Sequence, residues 1–407
     1  MDILIRQARI EDDGPLVDVA IKNGLIAEIA PGIETEAHEV IEADGRVLIP
    51  GIIEGHLHLD KALIADRMPN RSGTLQEAIE VTAKLKPTFT KEDVQERAEK
   101  ALRMIMTQGV THLRTHSEFD PAGGFTGFEV VLNLKEKYKK FIDIQVVAFP
   151  QEGIMKAPGT ETMMHEAIAM GADIVGGIPY NDFSANEHID LVFELAKKYQ
   201  KPLDFHQDFK DDADGMSIEY LCRKTIAEGY QGKVAVGHLT SLGALPPEKL
   251  KPIAALMAEA QISVMCLPAT DLHLGGRKDT YNVRRALTPV RALQQAGVNV
   301  CLGSNNIRNA FTPYGNGDLF QIAMLAIPTA HLGGADDLPG VLPMITTKVA
   351  KALGIEGYGL RAGCAADMVL LDTKKVVDAI IDLPQKLYVI KAGNITVRTQ
   401  HQVKTEF

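Results

Sequence analysis

Short apolar runs alternate with helical segments through the middle of the chain. Between residues 51 and 303, runs rich in Val, Ile and Leu are mostly separated by segments whose apolar residues recur near a helical period. Parallel strands that are buried on both faces have this continuous apolar character. Eight such repeats predict an α/β fold, a (β/α)8 TIM barrel over residues 51–363. The predicted strands are Gly51–His58, Val110–His116, Ile142–Phe149, Asp173–Pro179, Leu203–His206, Val234–His238, Ile262–Leu267 and Val298–Gly303. The predicted helices are Lys91–Gln108, Gly127–Lys140, Thr160–Met170, Glu187–Tyr199, Ile218–Gly229, Pro247–Ala260, Leu287–Ala296 and, largely, Leu319–Leu353.

The two ends of the chain follow a different pattern. Each end shows short apolar or alternating runs joined by tight turns such as Asn23-Gly24, without long helical stretches. We therefore expect residues 1–50 and 364–407 to meet in one small β-sandwich domain beside the barrel. The predicted terminal strands are Ile3–Ile5, Val17–Ile21, Leu25–Ile29, Ala366–Asp372 and Lys386–Ile395.

Composition narrows the classes of function. The chain has 407 residues, a formal net charge of -10 and 45% hydrophobic residues. The negative charge, without a basic stripe, argues against a nucleic-acid partner. The sequence contains no long apolar run and no secretory signal at its N-terminus, so no membrane partner is expected. The four cysteines are far apart and form no C-x-x-C motif, which favours a reducing, cytoplasmic location.

Histidines occupy the carboxyl ends of several predicted strands. His56 and His58 are one residue apart on the first strand, so their side chains share a face. His206 ends the fifth strand, and catalytic residues of a barrel gather at this end. Three neutral imidazoles predict one divalent metal ion per chain, with an open position for water whose pKa the cation lowers. The fourth predicted strand carries no lysine, which disfavours a two-metal site bridged by a carboxylated lysine.

Two residues at the ends of strands five and six are candidates for proton transfer. His238 is predicted to orient the attacking water or to move its proton, because imidazole titrates near neutral pH. Asp208 is a second candidate for this work. The alternatives are a buried histidine bonded to backbone for His238 and a helix N-cap for Asp208.

These histidines and several further motifs resemble the amidohydrolase superfamily, and within it bacterial cytosine deaminase and its relative that hydrolyses N-isopropylammelide. The further motifs are Phe149-Pro150-Gln151, Asp271–Tyr281, Asn305–Arg308 and Pro313–Asp318. The resemblance extends over nearly the whole chain. It implies a barrel beside a β-sandwich, zinc or iron as the metal, hydrolytic release of an amine from a nitrogen heterocycle, and a homo-oligomer. It also implies that the amide of Gln151 binds the edge of the ring.

Two positions depart from the family pattern. Asn305 occupies the strand-eight position where the family has an aspartate that binds the metal and accepts the proton of the attacking water. An amide oxygen can ligate a metal but cannot act as a base, so Asn305 indicates an inactivated or diverged form. Phe209 occupies the position of the glutamate that shuttles protons in cytosine deaminase, and Asp208 that of a histidine in the N-isopropylammelide enzyme. Asp208 would then shuttle protons on a different ring, and Phe209 would be a stacking wall or a core residue.

The leading hypothesis is a metal-dependent amidohydrolase that removes an amino or substituted amino group from a small heterocycle, such as a cytosine-like pyrimidine or an s-triazine. Its only expected partners are this small molecule and further copies of the chain. Two alternatives stay open: a catalytically silent protein that binds a heterocycle, and a hydrolase that opens a cyclic amide or imide ring. The metal ligands are predicted to be His56, His58, His206 and Asn305, the catalytic residues His238, Asp208 and Asn305, and the substrate contacts Gln151, Phe149, Asn306, Phe311 and His116.

Overall fold

The computed structural model describes residues 1–406, and strands outnumber helices along them. The strands are β1 (Ile3–Ala8), β2 (Val17–Lys22), β3 (Leu25–Ala30), β4 (Glu39–Glu42), β5 (Leu48–Pro50), β6 (Ile52–Leu57), β7 (Val110–Glu118), β8 (Asp143–Phe149), β9 (Ile174–Gly177), β10 (Leu203–Gln207), β11 (Val234–His238), β12 (Ser263–Cys266), β13 (Asn299–Leu302), β14 (Met368–Leu371), β15 (Lys386–Lys391) and β16 (Asn394–Arg398). The α-helices are α1 (Leu75–Leu85), α2 (Lys91–Thr107), α3 (Thr126–Tyr138), α4 (Thr160–Met170), α5 (Ala185–Tyr199), α6 (Ile218–Ala227), α7 (Pro247–Glu259), α8 (Pro268–Leu274), α9 (Val290–Gln295), α10 (Leu319–Thr329), α11 (Thr347–Leu353) and α12 (Asp378–Ile381).

Eight parallel strands, β6 to β13, lie side by side in chain order and form the predicted barrel. The first and last strands meet at a single parallel bridge between Leu57 and Asn305. There the backbone N–H of Asn305 donates to the carbonyl of His56 at 2.8 Å, and the N–H of His58 donates to the carbonyl of Asn305 at 2.9 Å. The fold class predicted from the sequence is therefore confirmed, and the closure places Asn305 beside the two histidines.

Burial and capping explain why these segments form strands and helices. All nine positions of β7 are buried, as expected for a strand that is covered on both faces. Thr90 and Ser184 cap α2 and α5, because each side chain accepts a hydrogen bond from the backbone three residues later. Among residues 1–406, no helix is both long enough and apolar enough to cross a membrane.

Strands from both ends of the chain form two further four-stranded sheets. One contains β1 to β4, and the other pairs β5 from the N-terminal part with β14, β15 and β16. The pairing between β1 and β4 is parallel, whereas the second sheet is antiparallel. Residues of both sheets, such as Ile5 and Met368, share one apolar cluster, which gives the sandwich that was predicted. The exact boundaries at residues 50/51 and 363/364 stay a prediction.

The helices differ from the sequence prediction in two respects. Helices α1, α8 and α12 were not predicted, and the first two lie in the connections that cover the carboxyl end of the barrel. The predicted Leu319–Leu353 helix is divided into α10, two short 3-10 turns and α11. Prolines at positions 328, 339 and 343 account for the interruptions, because proline cannot donate the backbone hydrogen bond that continues a helix.

Candidate active site

Three histidine side chains converge at the carboxyl end of the barrel. Nε2 of His206 lies 3.2 Å from Nε2 of His56 and 3.0 Å from Nε2 of His58. Burial is the main cause that holds the pKa of each ring well below the usual histidine value, and positive charge on neighbouring groups acts in the same direction. The rings are therefore neutral, and their lone pairs can point at a common centre. This donor set fits a divalent cation.

Asn305 and His238 stand beside these three rings. Oδ1 of Asn305 is buried and has no hydrogen-bond partner among residues 1–406, which suits an oxygen that would ligate a cation. A ring nitrogen of His238 lies within 4.8 Å of ring nitrogens of His56 and His206. The structure thus brings together four of the predicted metal-site and catalytic residues, together with Asn305.

His238 is held by a carboxylate that the sequence analysis did not single out. Its Nδ1 lies 2.6 Å from Oδ1 of Asp271, which belongs to α8. Burial raises the pKa of Asp271, and the charge of His238 opposes that effect. The ring of Phe209 stacks on the other side of His238, with centroids 4.0 Å apart and planes inclined by 9°. Carboxylate and phenyl ring together restrict the orientation of the imidazole, so that Nε2 remains for proton exchange.

Two predicted substrate contacts have other surroundings than expected. His116, predicted to contact substrate, is fully buried behind His56, at a ring-centroid distance of 4.0 Å, and its Nε2 lies 3.1 Å from Oδ1 of Asp204. Phe149 is also fully buried and stacks on His206 at 4.2 Å. Neither residue lines the cavity next to the histidines, so both are placed as supports of the metal-site rings.

The carboxylate of Asp208 is engaged at the start of α6. It accepts hydrogen bonds from the backbone N–H of Ser217 at 3.1 Å and of Ile218 at 3.0 Å. Free backbone N–H groups and the helix dipole at a helix N-terminus favour such a carboxylate. Asp208 thus binds the start of α6 from the end of β10, although the N-cap residue itself is Ser217, and Asp208 does not line the cavity. Its role as a proton shuttle stays a prediction.

A small cavity adjoins the histidines. Its volume is about 10 Å³, which is room for about one water molecule, so a heterocycle must displace lining side chains to bind. Of the predicted substrate contacts, Gln151, Asn306 and Phe311 line this cavity. The lining also includes His58, Lys61, Leu75, Tyr180, His206, Phe209, His238 and Asn305.

Lys61 belongs to a buried charged cluster that the sequence analysis missed. Its Nζ donates to Oε1 of Glu118, and the second oxygen of Glu118 lies 3.0 Å from Nζ of Lys86. Burial raises the pKa of Glu118, but the two ammonium groups outweigh burial and hold this pKa at about 2. The sequence held one signal for this cluster: Lys61 lies three residues after His58, and a lysine within a buried segment needs an anionic partner.

Left-handed backbone conformations recur among the residues at the strand ends. Asp208, His238 and Asn305 have φ angles of 45°, 74° and 60°. Side chains other than glycine rarely adopt this region, and residues held there concentrate at functional sites. The backbone at the strand ends is thus held in an unfavourable conformation that directs the side chains of His238 and Asn305 toward the candidate metal site.

Comparisons of sequence and structure relate this chain to amidohydrolases. The model of the amidohydrolase family matches residues 39–397. N-isopropylammelide isopropyl amidohydrolase of Pseudomonas sp. (strain ADP) is 32% identical over 98% of both chains. The crystal structure of 5-methylcytosine deaminase from Klebsiella pneumoniae, liganded with phosphonocytosine, has a TM-score of 0.94 at 32% identity and covers 99% of this chain and 100% of that one. N-isopropylammelide isopropylaminohydrolase from Burkholderia multivorans has a TM-score of 0.85 at 28% identity, with 98% and 99% coverage.

Proposed function

The chain belongs to the amidohydrolase family, and from this premise we propose that it is a metal-dependent hydrolase that removes an amino or substituted amino group from a small nitrogen heterocycle. Pyrimidines and s-triazines are the proposed substrate classes, because the relatives named above act on such rings. The observation that carries the proposal is that Nε2 of His206 lies 3.2 Å from Nε2 of His56 and 3.0 Å from Nε2 of His58.

The proposed ligands of the metal, zinc or iron, are His56, His58, His206 and Oδ1 of Asn305. The three rings are neutral and buried, and the amide oxygen lacks another partner in residues 1–406, so the donor set and its surroundings suit a divalent cation. Such a cation supplies Lewis acidity that makes water a nucleophile near neutral pH. Arg114, Asp204 and His116 support this centre from inside the barrel, because Arg114 pairs with Asp204 at 2.9 Å and His116 packs on His56.

His238 is proposed to exchange protons with the reacting groups through Nε2. Asp271 holds Nδ1, and Phe209 holds the face of the ring, so the side chain is oriented before substrate arrives. Phe311 is proposed to contact a face of the heterocycle, and Gln151 and Asn306 its polar edge. Tight enclosure by these side chains would exclude bulk water from the reacting atoms.

The test combines metal analysis with a substrate screen. Freshly purified protein should contain one divalent ion per chain, and its activity is measured on amino-pyrimidines and amino-triazines by mass spectrometry. Release of ammonia or an amine supports the proposal, whereas opening of the ring would favour the cyclic amide or imide alternative. Protein without metal, and without activity on any of these rings, would contradict the proposal.

A second candidate function rests on Asn305. This residue replaces the carboxylate that the family uses as a proton acceptor, and an amide cannot take that role. A catalytically silent protein that binds a heterocycle would be the result. Tight binding of a pyrimidine or triazine without turnover, both by this chain and by its Asn305→Asp variant, would favour this candidate.

A further inference from the structure

The side-chain amide of Gln151 can be oriented in only one way, with its oxygen toward Lys61. Nζ of Lys61 donates to its Oε1 at 3.2 Å. A lysine ammonium carries donors and no acceptor, so the oxygen of this amide, and not the nitrogen, must face it. Within residues 1–406, Nε2 of Gln151 has no hydrogen-bond partner, and Gln151 lines the cavity. Gln151 therefore presents an N–H₂ group to a ligand.

The amide of Asn306 is fixed in the same sense by a relay through Asn309. The backbone N–H groups of Phe311 and Thr312 donate to Oδ1 of Asn309 at 2.9 and 3.2 Å. Backbone N–H groups can only donate, so Nδ2 of Asn309 points the other way and donates to Oδ1 of Asn306 at 2.7 Å. Asn306 is thus left with its N–H₂ group for the cavity.

The ammonium of Lys61 lies in the same lining, where it donates to Glu118 and to Oε1 of Gln151. Its side chain is held between Glu118 and the ring of Phe311, 4.4 Å from the ring centroid, and only 3% of it is exposed. No carboxylate lines this cavity among residues 1–406. The N–H₂ groups of Gln151 and Asn306 therefore meet no carboxylate in this cavity.

We propose that Lys61 and Asn309 determine specificity by orienting the amides of Gln151 and Asn306. The wall of the cavity that these two amides form would then bind exocyclic carbonyl oxygens in preference to exocyclic amino groups. The inference rests on the proposed function and narrows its substrate class: the preferred heterocycle is rich in oxo groups, and only the group to be released is an amine. An amino group placed against Gln151 and Asn306 would set donor against donor and leave buried polar groups unpaired.

Two matched pairs of probes test the preference. Cyanuric acid and melamine share the s-triazine ring but carry three oxo or three amino groups, and uracil and 2,4-diaminopyrimidine form a second pair. Calorimetric titration of the metal-containing protein should show the oxo member of each pair binding about tenfold to a hundredfold more tightly. Equal or tighter binding of the amino members would overturn the inference and leave the proposed function standing. Failure to bind any of the four probes would overturn both.

The Asn309→Asp variant tests the relay, because it replaces the N–H₂ group of Asn309 by an oxygen and leaves the shape of the side chain nearly unchanged. Aspartate still accepts from Phe311 and Thr312, but its second oxygen must now receive the N–H₂ group of Asn306, which turns Oδ1 of Asn306 to the cavity. The ratio of oxo to amino binding should fall by about fivefold or more. Lys61→Met should reduce the same ratio, because Gln151 then loses the donor that orients it.

Asn186→Asp, the same exchange on the exposed surface of α5, is the control and should leave the ratio unchanged. Metal content and melting temperature are measured for every variant. If Lys61→Met does not fold, Asn309→Asp and the parent protein carry the test. An unchanged ratio in a folded, metal-containing Asn309→Asp protein would contradict the relay.

Discussion

Asn305 lies where the last barrel strand meets the first, and it lines the same cavity as His58, His206 and His238. Replacement by Asp adds a carboxylate that can accept a proton, so we expect Asn305→Asp to raise turnover of a suitable amino-heterocycle by about a hundredfold or more. Initial rates of amine release measure the effect. The control is Asn186→Asp, which adds a carboxylate on the exposed surface of α5 and should not raise the rate. An unchanged rate for Asn305→Asp would argue against a simple loss of the family base.

The three neutral histidines predict a loss of stability in acid. Burial lowers the pKa of His56, His58 and His206 in the folded chain, whereas in the unfolded chain they titrate near 6.5. As the pH falls below 6.5, the unfolded state binds protons that the folded state does not, so stability is lost by up to about 1.4 kcal/mol per pH unit for each residue. The melting temperature should therefore fall steeply from pH 7 to pH 5, also in the presence of a chelator. A constant melting temperature over this range would contradict the burial of neutral rings.

At the scale of elements, α1 is the part of the barrel covering that must respond to a ligand. Leu75 at its first turn lines the cavity, whose volume is only about 10 Å³. A ring can enter only if lining side chains move, and a short helix over the barrel mouth moves at a lower cost than the strands. We expect cyanuric acid or uracil to change hydrogen exchange in residues 64–88. Peptides from β1 to β4 serve as the control, and equal exchange in α1 with and without bound ligand would contradict the expectation.

The ends of the barrel strands are supported by more of the surrounding structure than helix α1 is. His238 and Asn305 are held in the left-handed region by barrel strands on both sides, so their positions are set before a ligand arrives. Helix α1 begins at an N-cap on Thr74 and contributes only two fully buried side chains, Ala78 and Thr82. The architecture thus combines a rigid metal-site end with a covering element that has few buried contacts.

At the scale of the molecule, a buried lysine connects the sandwich to the barrel. Lys391 of β15 pairs with Asp367 at 2.7 Å and with Asp143 at 2.6 Å, and its Nζ lies 3.5 Å from Nε2 of His112. His112, Asp143 and Asp367 have the spacing of metal ligands, but the ammonium of Lys391 already neutralises the carboxylates. Burial lowers the pKa of His112 to about 4, so His112 adds no charge at neutral pH.

Removal of this ammonium should weaken the whole molecule. Lys391→Met leaves Asp367, which is 2% exposed, as a buried charge without its partner, and we expect the free energy of unfolding to fall by about 3 kcal/mol. Urea denaturation measures the change. Lys140→Met is the matched control and should be nearly neutral, because Lys140 is exposed and lines the surface cleft that also contains Asp143 and Lys391. Adding Asp367→Asn to Lys391→Met should recover part of the loss, and a neutral effect of Lys391→Met alone would show that the domains do not depend on this pair.

The amino-acid sequence by itself determined the fold class, the number of barrel strands and the family, because these depend on local periodicity and short motifs. The eight apolar runs predicted eight strands correctly. The structure brings His56, His58 and His238 near His206, because the carboxyl ends of parallel strands lie together, and their role as metal-site and catalytic residues stays a prediction. The resemblance to the amidohydrolase superfamily is likewise confirmed.

Only the tertiary structure decided which polar groups face the cavity. Asp208 accepts hydrogen bonds from the backbone at the start of α6, and His116 and Phe149 pack against the rings of His56 and His206. Lys61 and Asp271 joined the candidate site from the segments that follow barrel strands. Such outcomes depend on contacts between residues far apart in the chain, as with Lys61 and Gln151. Hydrogen-bond polarity is not a property of a residue type: an amide can present either end, and only its fixed neighbours determine which one a ligand meets.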